Sequence, residues 1–268
     1  MSGSDIQQSD DLTALVLEKP DYPTATIDAS PNFGLRKDGK TPTYLILHYT
    51  GLATAEEALE VLKSPEREVS AHYLVHEDGR VVQMVPEKAR AWHAGNSFWK
   101  GETDINSASI GIEIVNPGVL ENYPPFAEQQ IVAVIKLCRS ICSRYEIRPE
   151  SVLAHSDIAP ERKTDPGHNF PWKQLYEAGI GHYIEPTPIR GGRFLARGEQ
   201  GQPVEALQSM LALYGYKIEI SGAFDEATET VIKAFQRHFR TQNVDGVADV
   251  STIDTLYRLI FSLQNVTA

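Results

Sequence analysis

The residues best suited to chemistry lie on the loop 154–167, which proline and glycine interrupt. This loop carries His155, Lys163 and Asp165, and about a hundred residues upstream an apolar segment carries His48. Two histidines and one carboxylate suit a catalytic zinc ion, because three protein ligands leave a fourth coordination position open for water. A structural zinc site is normally closed by four ligands rich in cysteine, which the two cysteines of this chain cannot supply. The loop therefore predicts a metal centre that does chemistry.

Further motifs extend this prediction to a family resemblance. His48 at a strand end, the segment 109–116 and the loop 155–167 follow one another in a defined order. Together they resemble the zinc-dependent N-acetylmuramoyl-L-alanine amidases, a family that shares its fold with the peptidoglycan recognition proteins. The resemblance spans roughly residues 42–172, which is the length of a whole domain.

The resemblance implies a ligand set and a general base. One zinc ion per chain is expected on His48, His155 and Asp165. Glu113 occupies the strand position of the family's catalytic glutamate, where a carboxylate takes a proton from the attacking water and returns it to the departing nitrogen. This help is needed because resonance weakens the amide carbonyl as an electrophile and an amine anion leaves poorly. The alternative for Glu113 is a structural ion pair.

Lys163 is the predicted source of positive charge for the reaction. It lies two residues before Asp165 in an extended loop, so the two side chains can face the same cavity. A cation at that point would stabilise the oxyanion of a tetrahedral intermediate. The alternative is a solvated surface lysine, and the neighbouring Arg162 is expected to point away.

A second group of residues is expected to contact substrate. The Trp-His-Ala-Gly motif that begins at Trp92 resembles a family segment beside the active-site groove. Trp92, His93 and Asn116 are therefore candidate substrate contacts, although His93 has the alternative of a buried core histidine. Ala154 and His168 stand where a glycine and a proline are common in the family. We interpret Ala154 as a packing variation and His168 as a competing ligand or a substrate contact.

The elements that must position these residues have the periodicity of an α/β domain. The segments 44–49 and 109–115 have the pattern of strands, and the alternation in the second places Glu113 opposite its three isoleucines. A later amphipathic helix carries Cys138 and Cys142, for which we expect core packing rather than redox chemistry or metal binding. Helices alternating with strands predict an α/β fold, with a central mixed β-sheet flanked by helices.

Composition along the chain predicts four parts: an N-terminal arm at 1–40, a zinc amidase domain at 41–180, a linker at 181–197 and a helical domain at 198–268. The arm is polar and irregular, and it either packs on the domain or frays. Because glycine and proline concentrate around the linker, we expect few contacts across it and independent folding of its two sides. The sequence pattern of residues 198–268 predicts three small helices and resembles the peptidoglycan-binding module. A generic helical appendage is the alternative.

Charge and hydropathy exclude several classes of function. The formal net charge of −11 argues against nucleic acid as a partner, because phosphate binding needs a basic surface. No apolar run approaches the roughly 18 residues of a membrane span. The first residues show no basic region followed by an apolar stretch, so no signal peptide is visible. The binding module nevertheless favours the cell envelope, the periplasm, over the cytoplasm as the place of action.

These observations together predict a zinc hydrolase of peptidoglycan or its muropeptides. The bond expected to break joins the lactyl group of N-acetylmuramic acid to the L-alanine of the stem peptide. The rival from another class is a non-catalytic peptidoglycan-binding receptor on the same fold. Such receptors lack zinc ligands, whereas this chain has a candidate residue at every ligand position. Hydrolysis of a different amide on the same fold is a second rival.

Overall fold

The structure is a computed structural model that describes residues 15–264. Over those residues the strands are β1 (Thr26–Ile27), β2 (Phe33–Gly34), β3 (Tyr44–Tyr49), β4 (Tyr73–Val75), β5 (Val81–Gln83), β6 (Arg90–Ala91), β7 (Ser109–Ile114) and β8 (Val152–Ala154). Six of them form one sheet in the order β1-β5-β4-β7-β3-β8, and β2 pairs with β6. Because β4 and β5 are antiparallel while the other neighbours are parallel, the predicted mixed central sheet is confirmed.

Helices accompany the strands and fill the C-terminal part of the chain. They are α1 (Ala55–Lys63), α2 (Ile105–Ala108), α3 (Glu128–Tyr145), α4 (His155–Ile158), α5 (Trp172–Glu177), α6 (Gln202–Tyr214), α7 (Glu226–Phe239) and α8 (Val250–Gln264). The last three confirm the predicted three-helix segment. Within the described residues, no helix combines the length and the apolar character needed to cross a membrane.

Different parts of the chain cover the two faces of the sheet. On one face, side chains such as Leu45 of β3 and Ile112 of β7 pack in a cluster with α3 and α5. On the other face, Leu74 of β4 packs with α1, whereas Ile46 of β3 and Leu153 of β8 pack with the C-terminal helices. Successive side chains of a strand point to opposite faces. The candidate histidine of β3 and the candidate glutamate of β7 therefore belong to this second face, between α1 and the C-terminal helices.

The N-terminal segment packs on the domain from residue 15 onward. Strand β1 adds a parallel edge to the sheet beside β5. The Asn32 side chain donates to the backbone oxygens of Ser64 and Val69 at 2.9 and 2.8 Å, and the buried Arg36 donates to Ser107 O at 2.8 Å. These long-range bonds hold the irregular backbone in place. Residues 1–14 of the predicted arm lie outside the described residues.

The two cysteines lie in α3, on the side of the helix that packs against the sheet. Cys138 is buried and Cys142 is half-buried, and both are free thiols. Burial raises the pKa of Cys138 well above its usual value and that of Cys142 to about 11. Both therefore stay neutral and unreactive at neutral pH, as core packing predicts.

The C-terminal helices share a hydrophobic core with the sheet domain. Trp99, Ile46 and Leu153 belong to the same buried cluster as Leu207 of α6 and Phe235 of α7. The ring of Trp99 also meets the rings of two tyrosines at the end of α6, with centroids 4.9 and 6.1 Å away. The expectation that few contacts cross the linker is therefore wrong. The glycine and proline content of a linker does not indicate whether the parts on its two sides have apolar surfaces that pack together.

This shared core makes a prediction about stability. Trp99 is fully buried against α6, so Trp99→Ala should lower the free energy of unfolding by about 3–5 kcal/mol through lost burial and a residual cavity. Leu213, on the same helix but 64% exposed, is the matched control, and Leu213→Ala should change it by less than about 0.5 kcal/mol. Urea titrations followed by circular dichroism measure both. Two separate transitions, only one of them shifted by Trp99→Ala, would contradict a shared core.

Candidate active site

Parallel pairing brings three of the predicted site residues to one edge of the sheet. In the β3–β7 register His48 lies opposite Glu113, and in the β3–β8 register Leu47 lies opposite Ala154. His155 therefore leaves β8 next to the end of β3. The carboxyl ends of parallel strands are where such sheets present functional groups. Asp165 then returns to this edge on the following loop.

The ligand atoms of His48, His155 and Asp165 converge on one point. The two Nδ1 atoms lie 2.9 Å apart, and Asp165 Oδ2 lies 3.0 Å from that of His48 and 2.9 Å from that of His155. All three side chains are buried. Across residues 15–264, this is the group of histidine, cysteine and acidic residues found close enough to share a metal ion. Ligands at zinc-bonding distance in a tetrahedral site lie roughly 3.3 Å apart, so the three atoms fit zinc after a small expansion.

A chain of hydrogen bonds sets the tautomer of each histidine. Ser109 Oγ donates to Ile105 O at 2.5 Å, so at 3.1 Å it accepts from His93 Nε2. His93 Nδ1 is then the acceptor for His48 Nε2 at 3.0 Å. His155 Nε2 donates to the oxygen of Ala94 at 3.3 Å. Both Nδ1 atoms consequently keep a lone pair for the metal, as buried partners of metal-bound histidines generally arrange.

The pKa values of His48 and Asp165 also favour metal binding. Burial, followed by the neighbouring His155, lowers the pKa of His48 to about 4, so His48 is neutral at neutral pH. Burial alone would raise the pKa of Asp165, but the neighbouring His155 and His48 bring it below its ordinary value. Metal ligands must be deprotonated, so neutral imidazoles and an ionised carboxylate are the forms that bind.

Glu113 projects toward the three ligands without a partner of its own. Its side chain is half-buried, and its Oε2 atom accepts no hydrogen bond from the described residues. Burial, followed by the negative charge of Asp165, raises the pKa of Glu113 well above its usual value, and Lys163 partly offsets this. A structural ion pair would have the opposite effect on the pKa. The geometry therefore favours a carboxyl group available for proton transfer.

A cavity of about 380 Å³ opens above these groups. Its polar wall contains Glu113, His155, Lys163 and Asp165, and α1 supplies apolar side chains such as Leu62 on the other side. Trp92 and His93 also line it. The site thus combines a metal-ligand set, a free carboxyl group and a cation in a cleft large enough for part of a peptide.

Comparison with known proteins agrees with this geometry. Residues 38–168 match the family described as N-acetylmuramoyl-L-alanine amidase, and residues 200–256 match a peptidoglycan-binding domain family. The N-acetylmuramoyl-L-alanine amidase AmiD of Escherichia coli (strain K12) is 41% identical over 222 residues, which are 78% of each chain. The chain belongs to the N-acetylmuramoyl-L-alanine amidase family.

Solved structures of such amidases have the same fold. A complex of E. coli AmiD with anhydro-N-acetylmuramic acid-L-Ala-D-gamma-Glu-L-Lys superposes with a TM-score of 0.70 at 38% identity, over 82% of this chain and 89% of that one. A complex of AmpDh3 from Pseudomonas aeruginosa with an anhydromuramic pentapeptide gives 0.69 at 31% identity, over 92% and 99%. The shorter AmpD of E. coli is 36% identical and aligns with 54% of this amidase and 87% of its own length.

Several side chains of the amidase lie elsewhere than the sequence led us to expect. Asn116 does not line the cavity; its amide donates to Pro124 O at 3.1 Å and its oxygen accepts from Gly118 N at 2.8 Å. Arg162 does not point away, because it lines the cavity and donates to Asn96 O at 2.7 Å. His168 lies outside the ligand group, with its ring 4.9 Å from that of Tyr123.

His93 and Ser109 have roles that the sequence did not reveal. The ring of His93 occupies space that exists only because residue 111 is glycine, since a Cβ there would lie 2.5 Å from the ring. His93 thus touches His48 directly, which makes it a support for the ligand as well as a wall of the cavity. Ser109 shares a strand face with Gly111 and Glu113, and that parity is the signal that could have identified it.

The ligand geometry of the amidase predicts its metal content. Alanine at His48, His155 or Asp165 removes one of three ligands, so each variant should lose zinc on dialysis while the wild type keeps one equivalent. His168→Ala is the matched control, because His168 is outside the group, and it should keep the metal. Elemental analysis by mass spectrometry measures the result. Full zinc occupancy in any of the three ligand variants would contradict the assignment.

Proposed function

We propose that the chain is a zinc amidase that cleaves the bond between the lactyl group of N-acetylmuramic acid and L-alanine. The observation that carries the proposal is the convergence of His48, His155 and Asp165 beside the unpaired carboxyl of Glu113. The ligands bound in related structures support the substrate class, since two relatives were solved with anhydromuramyl peptides. We therefore propose muropeptides, and the peptidoglycan they come from, as substrates.

One zinc ion per chain would be held by the two Nδ1 atoms and Asp165 Oδ2. When bound, zinc lowers the pKa of water to about 7 and polarises a carbonyl oxygen. The protein would contribute two imidazoles and one carboxylate, and three protein ligands would leave the ion able to bind water as well. Burial of the ligands keeps competing water away from the protein side of the site.

Glu113 is the proposed proton carrier. Its carboxylate accepts a proton from the attacking water and then donates it to the nitrogen of the departing L-alanine, so the amine leaves neutral. The raised pKa of Glu113 suits the first step, because a more basic carboxylate takes the proton of the water more readily and then holds it until the nitrogen accepts it. The positive charge of a bound zinc ion would lower this pKa, which would favour the carboxylate form that accepts the proton.

Lys163 is the proposed stabiliser of the oxyanion. Its side chain lines the cavity on the loop that also carries Asp165, and no carboxylate of the described residues forms a salt bridge with it. An unpaired ammonium in a cleft can meet the negative charge that develops on the scissile carbonyl oxygen. Because Lys163 belongs to the metal-binding loop, its position relative to the reaction centre is fixed by the same backbone.

The C-terminal helices are the proposed contact with the wall polymer. Residues 200–256 match a peptidoglycan-binding domain family, so we propose that this segment binds peptidoglycan and raises the local substrate concentration. We further propose that the enzyme acts in the cell envelope, where that polymer lies. The domain boundaries at residues 40, 180 and 197 remain predictions.

The reaction predicts defined products. Zinc-loaded protein incubated with an anhydromuramyl tripeptide should release a free peptide with N-terminal L-alanine and the anhydro sugar, both detected by liquid chromatography and mass spectrometry. Glu113→Gln keeps size but cannot accept a proton, so turnover should fall roughly 10²–10⁴-fold with zinc retained. Glu60→Gln, at an exposed position of α1, is the control. Intact substrate with wild-type protein, or near-normal turnover in Glu113→Gln, would refute the assignment.

The proposed charge of Lys163 makes a separate prediction. Lys163→Ala should lower kcat by roughly 10²–10³-fold without loss of zinc, because only the oxyanion loses its partner. Lys163→Arg keeps the charge and should retain more activity than Lys163→Ala. Lys136→Ala, on the exposed side of α3, is the charge-matched control. Steady-state kinetics on the soluble tripeptide measure the set, and equal rates for the alanine and arginine variants would contradict a role for the charge.

A further inference from the structure

Asp157 is a buried carboxylate that lies two residues after His155 in the single turn of α4. Its exposed fraction is 1%. Within the sheet domain it accepts one hydrogen bond, from Ala154 N at 2.8 Å. Two further donors come from the C-terminal segment: Tyr216 Oη to Oδ1 and His238 Nδ1 to Oδ2, both at 2.7 Å. The C-terminal helices therefore supply most of the compensation that a buried carboxylate needs.

Both donors are held rigidly across the interface. The ring of His238 stacks on that of Trp172, with centroids 3.7 Å apart, and on the other side against Phe239 at 3.8 Å. Tyr216 packs edge-on against Trp99 at 4.9 Å. Gly215, directly before Tyr216, must be glycine, because it adopts φ +147° and a Cβ there would lie 2.6 Å from the Trp99 ring. The two donors therefore reach Asp157 from fixed directions.

The turn that Asp157 anchors carries the metal-ligand geometry. Asp157 binds the backbone N–H of Ala154, the residue directly before His155. Two residues after Ala154, the backbone N–H of Ser156 donates to the backbone oxygen of Asp165 at 3.0 Å, which ties the turn to the third ligand residue. A shift of α4 would displace two of the three ligand atoms, whose mutual distances are 2.9–3.0 Å. Metal sites lose affinity when the partners that orient their ligands are removed.

We propose that Tyr216 and His238 of the C-terminal segment are positioning residues of the metal site, acting on His155 and Asp165 through Asp157. The inference rests on the proposed function in one respect, namely that the three ligands bind zinc. It assigns the C-terminal segment a second task besides holding the wall polymer: it completes the support of the active site. Removal of the segment should then impair hydrolysis even of a small soluble substrate.

The test compares two tyrosines in the full-length chain. Tyr216→Phe removes the O–H that binds Asp157 and leaves the ring in place. Tyr214→Phe is the matched control, because Tyr214 is equally buried, at 2%, and its hydroxyl forms a 2.8 Å bond to His182, away from the active site. Zinc affinity is measured by competition with a chromophoric chelator, the ligand geometry by the visible spectrum of the cobalt-substituted protein, and folding by thermal denaturation.

Positioning predicts that Tyr216→Phe weakens zinc binding roughly 10–100-fold, changes the cobalt spectrum and lowers kcat more than it raises KM. Tyr214→Phe should keep zinc affinity and spectrum while losing thermal stability to a similar degree. Two variants of His238 provide an independent test in case the tyrosine variants fail to fold. His238→Asn retains an N–H near the position of Nδ1 and should preserve more zinc affinity than His238→Leu, which retains none.

The outcomes separate this inference from the proposed function. Unchanged zinc affinity and spectrum in Tyr216→Phe and His238→Leu would overturn the positioning role and leave the bonds to Asp157 as simple interface contacts. Equal losses in Tyr216→Phe and Tyr214→Phe would overturn it as well. If the wild type binds zinc but cleaves no muropeptide, the proposed reaction fails, whereas the affinity comparison between the two tyrosine variants still supports or refutes the positioning role.

Discussion

Two imidazole nitrogens and a carboxylate oxygen lie within 3.0 Å of one another in the interior, with their lone pairs directed at one point. Such an arrangement is unfavourable without a cation, because the three electron-rich atoms repel at low dielectric. The rest of the fold acts against that repulsion. Parallel register holds β3, which carries His48, beside β8, which His155 directly follows. The bonds through His93 and Ala94 O orient the two rings, and the loop after α4 returns Asp165. What can be accommodated at the point of convergence is a positive ion.

Much of the site and of the sheet could be predicted from local patterns in the sequence. The period of β7 placed Glu113 on the face opposite the isoleucines, and the structure has it there because strand alternation depends only on the backbone. The loop with His155, Lys163 and Asp165 was recognisable because its members lie within ten residues of one another. The mixed sheet followed from helices alternating with strands. Each of these features is decided within a short stretch of chain.

Features that depend on two distant segments were not accessible in this way. His93 supports His48 because Gly111, on a neighbouring strand, leaves room for its ring, and neither residue alone indicates that pairing. Asn116 was expected along the groove but binds its own loop instead. The linker was misleading for the same reason. Glycine and proline describe local backbone freedom, whereas the association of the two sides depends on Trp99 and the apolar face of β3 and β8.

The surface that receives the C-terminal helices has a consequence for how this protein can diverge. Ile46 and Leu153 would face water if the helices were absent, and Asp157 would be left with one of its three donors. Gain or loss of the helical segment therefore has to be accompanied by substitutions on the sheet, which would exchange apolar side chains for polar ones and remove or re-pair the carboxylate. The segment is inherited together with its docking surface, so a recombination event that exchanges it for a foreign module would produce a chain that folds poorly.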